Sequence, residues 1–504
     1  IELFKEMQQK GVSPDRVSFL CVLKACGNLG MVIEGHIIHG CIVKYGFDIN
    51  TDIQNTLIHV YSKCGFREEA YLVFDQSRNR DVVSWSAMAA GYVEEGSSSH
   101  ALELFHAFQK EAIDPNTFLF SSVLTACGSL RALHQGRLIH GYIIINGHES
   151  DVVVANSLID MYGKCGSLND SCHVFCNLST PDEVSYGSLI AGSVQNEQED
   201  LVLDLFQKMQ MQSIKPNQAI FALMLKAYGI VGSFEQGGFI YAQIIENGFE
   251  CDAVVVSSLI DMYVKCGSLE DARSVFEGME ERDVVLWGVI IAGYVESEHV
   301  SSAIQLYKEM REEGIMPSNT IFISILKACS IIRTIDQGRH IHQDIARLGV
   351  VSDSWAGYVD NALLDMYAKC GSFEDAYKVF EDVPNQDVVS WGTITMAYAN
   401  SGNWKMAQNC LKNMSKLDLT PDATIFANIL IACSHAGVLD VGLEFFRLIA
   451  SYDSLEPTLL HYSLLIDLTA RTGHLALALE LIETMPYLPE SFLWTSILTE
   501  CVLY

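Results

Sequence analysis

Lys63, Lys164, Lys265 and Lys369 return at intervals of 101, 101 and 104 residues, and Arg471 takes the equivalent place further along the chain. Cations repeated along one ridge could contact the phosphates of a nucleic-acid strand. The same charges near helix C-termini would also satisfy the helix dipole, and both readings stand at this point. Glu94, Gln195, Glu296 and Asn400 hold the matching position in other segments, so the positive ridge is intermittent. With 32 Lys plus Arg against 62 Asp plus Glu, a net charge of −30, the balance argues against a chain that holds nucleic acid mainly by bulk charge.

The 15 cysteines raise metal and disulfide chemistry, yet more than half of them are periodic. Cys64, Cys165, Cys266 and Cys370 form one series, and Cys26, Cys127, Cys329 and Cys433 a second. Recurrence of this kind marks small apolar packing residues. Cys172 and Cys176 lack a second pair at zinc-site spacing, so no metal site is expected. So many free thiols fit a reducing compartment. His39, His140 and His342 also recur, which makes them structural. No HxE segment followed by PCxxC occurs, as zinc-dependent base deamination would require. Nothing else sets a nucleophile, a base and an oxyanion donor in one register, so neither an enzyme active site nor a cofactor is expected.

The elements that carry these residues follow from the period. Pro14, Pro115, Pro216, Pro317 and Pro421 stand 101, 101, 101 and 104 residues apart, and half of the ten prolines therefore lie on one ruler. MYGKCGSLND, MYVKCGSLED and MYAKCGSFED return on it, with the looser VYSKCGFREE before them; so do VVSWS, EVSYG, VVLWG and VVSWG. Each period divides into subunits of 35, 35 and 31 residues. One 35-residue type covers 82–116, 183–217, 284–318 and 388–422; the other covers 16–50, 117–151, 218–252 and 319–353. The short type covers 51–81, 152–182, 253–283 and 357–387.

Apolar residues at helical spacing, such as Ala101, Leu104, Phe105 and Phe108, predict two helices per subunit. Gly96 and Gly166 separate the two, and Pro115 with Asn116 stops the second. One such hairpin cannot bury its apolar face alone, so neighbours must stack into an all-α solenoid with a long concave surface. Every apolar stretch is interrupted before the roughly 18 residues of a membrane span, so no membrane partner is expected. The chain opens at Ile1 and stops at Tyr504 in what reads as a new subunit, so both ends look like cuts.

The subunit VVSWSAMAAGYVEEGSSSHALELFHAFQKEAIDPN, residues 82–116, resembles the pentatricopeptide repeat, and the 35/35/31 triplet resembles the plant P-L-S subclass of that family. The resemblance covers essentially the whole chain. On it, residues 1–15 are a partial P repeat, 16–422 are tandem L, S and P repeats, and 423–490 are closing L and S variants. Residues 491–504, beginning SFLWTSILTEC, are similar to the start of a C-terminal E extension, here truncated; in the family that extension often leads into a deaminase-like domain.

The resemblance implies a right-handed superhelix that binds single-stranded organellar RNA, one repeat per base, with the fifth and last residues of each repeat reading the base. Uracil and guanine offer a ring N–H that suits a carboxylate, whereas adenine and cytosine offer a ring acceptor that suits an amide. Asn55 with Asp81, Asn156 with Asp182, Ser257 with Asp283 and Asn361 with Asp387 would favour U, U, G and U. Ser86 with Asn116 would favour A. Ser121, Asp151, Asn217, Ser318 and Asp422 are weaker recognition candidates, and Gly187, Gly288 and Gly392 leave their repeats permissive. The alternative for these polar residues is ordinary capping and turn formation. The resemblance points to the recognition array of a C-to-U editing factor, monomeric, with editing-complex accessory proteins as partners, in the mitochondrion or else the chloroplast. Transcript processing, stability or splicing is the alternative within the family, and a protein-binding scaffold the alternative outside it.

Overall fold

Asp81 shows how these helices are made to start. Its backbone is extended, at φ −96° and ψ 173°, and its carboxylate accepts the Ser84 amide at 2.8 Å. That bond satisfies one of the donors left open at a helix N-terminus. The helix Val82–Glu94 follows; then Gly96 turns the chain at φ +82°, which glycine adopts at least cost, and Ser98–Phe108 runs back. Asn116, Asp151, Asp182, Asn217, Asp387 and Asp422, each the last residue of its subunit, cap the first helix of the following subunit in the same way.

The computed structural model describes residues 1–111, 113–348, 356–383, 386–449 and 455–501, and all their regular elements are helices. None of these helices is long and apolar enough to cross a membrane. The chain divides into two units, Ile1–Met262 and Tyr263–Tyr504.

In the first unit the leading helices of successive hairpins are Arg16–Leu29, Thr51–Lys63, Val82–Glu94, Thr117–Ser129, Val152–Lys164, Glu183–Gln195 and Gln218–Val231. Each packs on the next, forming one layer. The returning helices from Val32–Lys44 to Glu199–Met211 form a second layer, each lying on its own leading helix and on the following one, and Phe234–Glu246 lies on Gln218–Val231. In the second unit Val284–Glu296, Asn319–Ile332, Ala356–Lys369, Val388–Asn400, Ala423–Ala436, Leu459–Arg471 and Ser491–Cys501 stack in the same manner. Ala253–Lys265 straddles the division.

The recurring aromatics are the joints between hairpins. Trp85 meets Phe74 edge-on with centroids 4.9 Å apart, and Tyr186 meets Phe175 at the same distance. In the second unit Trp287 meets Phe276 at 4.6 Å and Trp391 meets Phe380 at 4.7 Å. This edge-to-face geometry suits the ring quadrupoles and adds to the area buried.

The histidines act as latches between hairpins: Nδ1 of His39, His140 and His342 lies 2.9 Å from the hydroxyls of Tyr61, Tyr162 and Tyr367. Burial pushes these imidazoles below their ordinary pKa and raises Tyr61 and Tyr162 to about 12. Cys26, Cys127, Cys329 and Cys433 are buried, and burial raises Cys127 to about 12 and Cys329 and Cys433 to about 11. They are inert thiols. Among the described residues no three His, Cys, Asp or Glu side chains gather as metal ligands.

Candidate nucleic-acid interface

Asn156 is the fifth residue of its hairpin, inside a helix where capping is not its task. Its Nδ2 donates to Asp182 Oδ1 at 3.2 Å, and its Oδ1 accepts from the Ser185 hydroxyl at 2.7 Å. The arrangement repeats around Asn55, which donates to Asp81 Oδ1 at 3.1 Å and accepts from Ser84 at 2.6 Å. Around Asn361, Ser390 donates to the amide oxygen at 2.8 Å and lies 2.9 Å from Asp387 Oδ1. Three of the four short subunits thus bring the fifth residue, the last residue and the third residue of the next subunit into one cluster. The asparagines are nearly covered, Asn55 at 9% and Asn156 at 8% exposure, whereas Asp182 and Asp387 are open to solvent.

The aspartates stay ionised at neutral pH. Burial alone would raise the pKa of Asp81, Asp182 and Asp387, but the amide and hydroxyl of Ser84, Ser185 or Ser390, with the asparagine amide, hold each below the usual value. At Asp182 those bonds converge on Oδ1, and its Oδ2 has no partner among the described residues and can accept a hydrogen bond from outside; at Asp81 the Asn55 amide also reaches Oδ2, at 3.4 Å.

The other candidates are placed differently. The Ser86 hydroxyl lies 2.9 Å from Asn116 Oδ1 and 2.6 Å from the Val82 carbonyl of its own helix, with one proton to give to either, so this fifth and last pair also meets. Ser121 instead pairs with Ser157 at 2.9 Å, while Asp151 caps Val153 and accepts from Thr117. Asn217 caps Ile220 and donates to Glu183; Ser318 and Asp422 cap Ile321 and Ile425. Ser257 turns its hydroxyl onto the Val254 carbonyl at 2.9 Å, and Asp283 caps Val285 and Leu286. These last two fall in different units.

The row of cations is largely neutralised within its own helices. Lys164 pairs with Asp160 at 2.7 Å, Lys369 with Asp365 at 2.8 Å and Arg471 with Asp467 at 2.8 Å, each acid standing one turn earlier. Lys63 reaches Asn28 at 3.3 Å, and Lys265 is engaged as well. Half-exposed pairs of this kind are weak and can open to a phosphate, but they present little net charge.

Family models describe the chain as PPR repeats at 55–82, 83–112, 153–179, 254–284, 361–388 and 389–419, as PPR repeat family at 282–330, and as pentatricopeptide repeat domain at 1–29 and 180–230. It is 32% identical over 506 residues to pentatricopeptide repeat-containing protein At5g27110 of Arabidopsis thaliana, covering 100% of this chain and 73% of that protein. The chain belongs to the pentatricopeptide repeat family. Mitochondrial At2g03380 of the same plant is 31% identical, covering 100% of this chain and 73% of the relative. Chloroplastic At1g15510, also from Arabidopsis, is 32% identical, but the match spans 98% of this chain and only 56% of the relative. Among solved structures, maize pentatricopeptide repeat protein PPR10 superposes with a TM-score of 0.62 at 20% identity, covering 99% of this chain and 77% of PPR10. PPR10 in complex with an 18-nt psaJ RNA element superposes at 0.63 with 14% identity, covering 99% and 79%. These likenesses show the fold, a solenoid of helical repeats.

Two sets of residues in these pentatricopeptide repeats escaped the sequence reading. The first is Ser84, Ser185 and Ser390; the recurring serine of VVSWS, EVSYG and VVSWG was its only signal. The second is an apolar residue left in solvent at the second position of many repeats. Val83, Phe118, Val153, Val184, Val285 and Val389 are at least half exposed, Phe118 at 77%. Single exposed apolar residues are ordinary, but their recurrence at one register is not. Val153 lies three residues before Asn156, on the same side of the helix. The Asn156 cluster is therefore flanked by apolar surface, whereas Asp52 holds the equivalent place before Asn55.

Proposed function

We propose that this pentatricopeptide repeat chain binds single-stranded RNA sequence-specifically in an organelle, as the site-recognition array of a C-to-U editing factor. One observation carries the reading. The same asparagine, serine and aspartate meet in three short repeats, with the ionised carboxylates of Asp182 and Asp387 open at the surface. A carboxylate acceptor suits the ring N–H of uracil or guanine, and the flanking valines offer apolar contact to the faces of the bases. With a net charge of −30 and paired lysines, affinity has to come from such specific contacts rather than from counterion release.

The finer organisation belongs to the same proposal. Residues 1–15 are part of a P repeat, 16–422 are L, S and P repeats, 423–490 are the closing L and S forms, and 491–504 open an E extension. This organisation would place an editing domain, the protein's own or a partner's, on a cytidine downstream of the bound segment. That PPR10 is known in complex with RNA, and that relatives are named mitochondrial or chloroplastic, supports organellar RNA as the ligand; the mitochondrion is our first assignment.

The test is a gel-shift series with an RNA carrying U, A, U, G and U opposite the repeats that begin at 51, 82, 152, 253 and 357. The matched RNA should bind at least tenfold more tightly than its scramble, and equal binding would end the reading. Loss of the gene should abolish one edited cytidine; altered transcript length instead would favour a role in processing.

A further inference from the structure

Ser185 is fully buried, yet it touches both members of a candidate recognition pair. Its Oγ stands 2.7 Å from Asn156 Oδ1 and 2.8 Å from Asp182 Oδ1, and it accepts the Asp182 backbone N–H at 3.2 Å. A hydroxyl has one proton to give. Asp182 Oδ1 is already served by the Ser185 amide and by Asn156 Nδ2, whereas Asn156 Oδ1 has no other donor among the described residues. The proton therefore goes to the asparagine.

The consequence is directional. An amide carries a donor at one end and an acceptor at the other, of nearly equal shape, and either end could face a base. Here the oxygen is tied to serine and the nitrogen to the carboxylate, which leaves one Nδ2–H uncommitted. Ser84 does the same for Asn55 at 2.6 Å, and Ser390 for Asn361 at 2.8 Å. Both are 1% exposed, so neither can reach a ligand itself.

The sequence adds an independent correlation. In the short repeat whose fifth residue is Ser257 rather than asparagine, the third residue of the following repeat is Leu286. The serine accompanies the amide and is absent where there is no amide to orient.

We infer that Ser84, Ser185 and Ser390 are specificity-determining positioning residues, which hold Asn55, Asn156 and Asn361 in the one amide orientation that reads a base. This rests on the base-reading proposed above. The third residue of each following repeat then belongs to the recognition code of its predecessor.

The experiment measures binding of the full chain to two RNAs that differ only by U or C opposite the repeat 152–182. Wild type should prefer U, and Ser185→Ala should lower that preference about tenfold, the scale of one oriented hydrogen-bonded contact. Ser185→Thr, which keeps the hydroxyl, should retain most of it. In an Asn156→Ala background Ser185→Ala should leave the ratio of the two affinities unchanged, because no amide remains to orient. If Ser185→Ala lowers the melting temperature but keeps the wild-type preference for U, serine is only a cap and the inference falls alone. If wild type shows no preference, base-reading itself falls, and this inference with it.

Discussion

Gly163 and Gly192 bring two helix backbones into contact, since a Cβ added to Gly163 would stand 2.9 Å from the Gly192 Cα. Each glycine lies seven residues, two helical turns, beyond a member of the polar cluster, Asn156 in one helix and Ser185 in the next. The contact and the cluster therefore share one face, and the closeness of the backbones sets the reach of the Asn156 amide to Asp182.

Gly163→Val should wedge these helices apart. Both partners at the contact are backbone, which cannot rotate away, so a loss of about 1–3 kcal/mol is expected in chemical denaturation. The variant should also lose its preference for U at that repeat while Asn156 and Asp182 remain. An unchanged preference would separate helix spacing from recognition.

The His–Tyr latches predict acid sensitivity. Burial lowers the pKa of His39, His140 and His342 below 6.5, so protons bind the unfolded chain more readily than the folded one. Their contribution to stability is full above the ordinary histidine value and declines as pH falls below 6.5 through the depressed values. The melting midpoint should drop between pH 7.5 and 5.5, and less steeply in His140→Asn. A wild-type midpoint flat across that range would contradict the assignment.

Asp160 neutralises Lys164 one turn away. Asp160→Asn should free a cation for phosphate, strengthening RNA binding at low salt. The slope of log affinity against log salt should then steepen by about one. A slope identical to wild type would take Lys164 off the RNA path.

Phe118 is 77% exposed and contributes little to the core. Phe118→Ala should leave the melting temperature within about 1 °C, in keeping with surface substitutions of under about 0.5 kcal/mol. RNA affinity should weaken by about 1–3 kcal/mol if a base lies on the ring. Unaltered affinity would show that the exposed second positions are bystanders.

Much of the fold was legible because it is periodic. The apolar spacing around Leu104 and Phe105 gave helices, and the glycines at 96 and 166 gave the turns, since local chemistry decides both. The tryptophans were visible as markers of the period, but not their edge-on partners Phe74, Phe276 and Phe380, which lie in the preceding hairpin. At the site, Asn156 and Asp182 were singled out from the resemblance, whereas Ser185 was not, since its role depends on a contact 29 residues away. The pairing of Lys164 with Asp160 was open to view as an i,i+4 spacing; weighing the cation alone missed it. The exposed valines were hidden because a valine in a helix reads as core until the neighbours that would cover it are placed.

Whether the cluster at Asn156 and Asp182 distinguishes bases decides whether this chain reads RNA sequence. The direct measurement is the affinity of the full chain for four RNAs that carry U, C, A or G opposite the repeat 152–182, in wild type and in Asn156→Ser. Wild type should favour U, by about 1–3 kcal/mol over the pyrimidine that lacks a ring N–H, and Asn156→Ser should shift the preference to G. Equal affinities for all four RNAs in both proteins would contradict it.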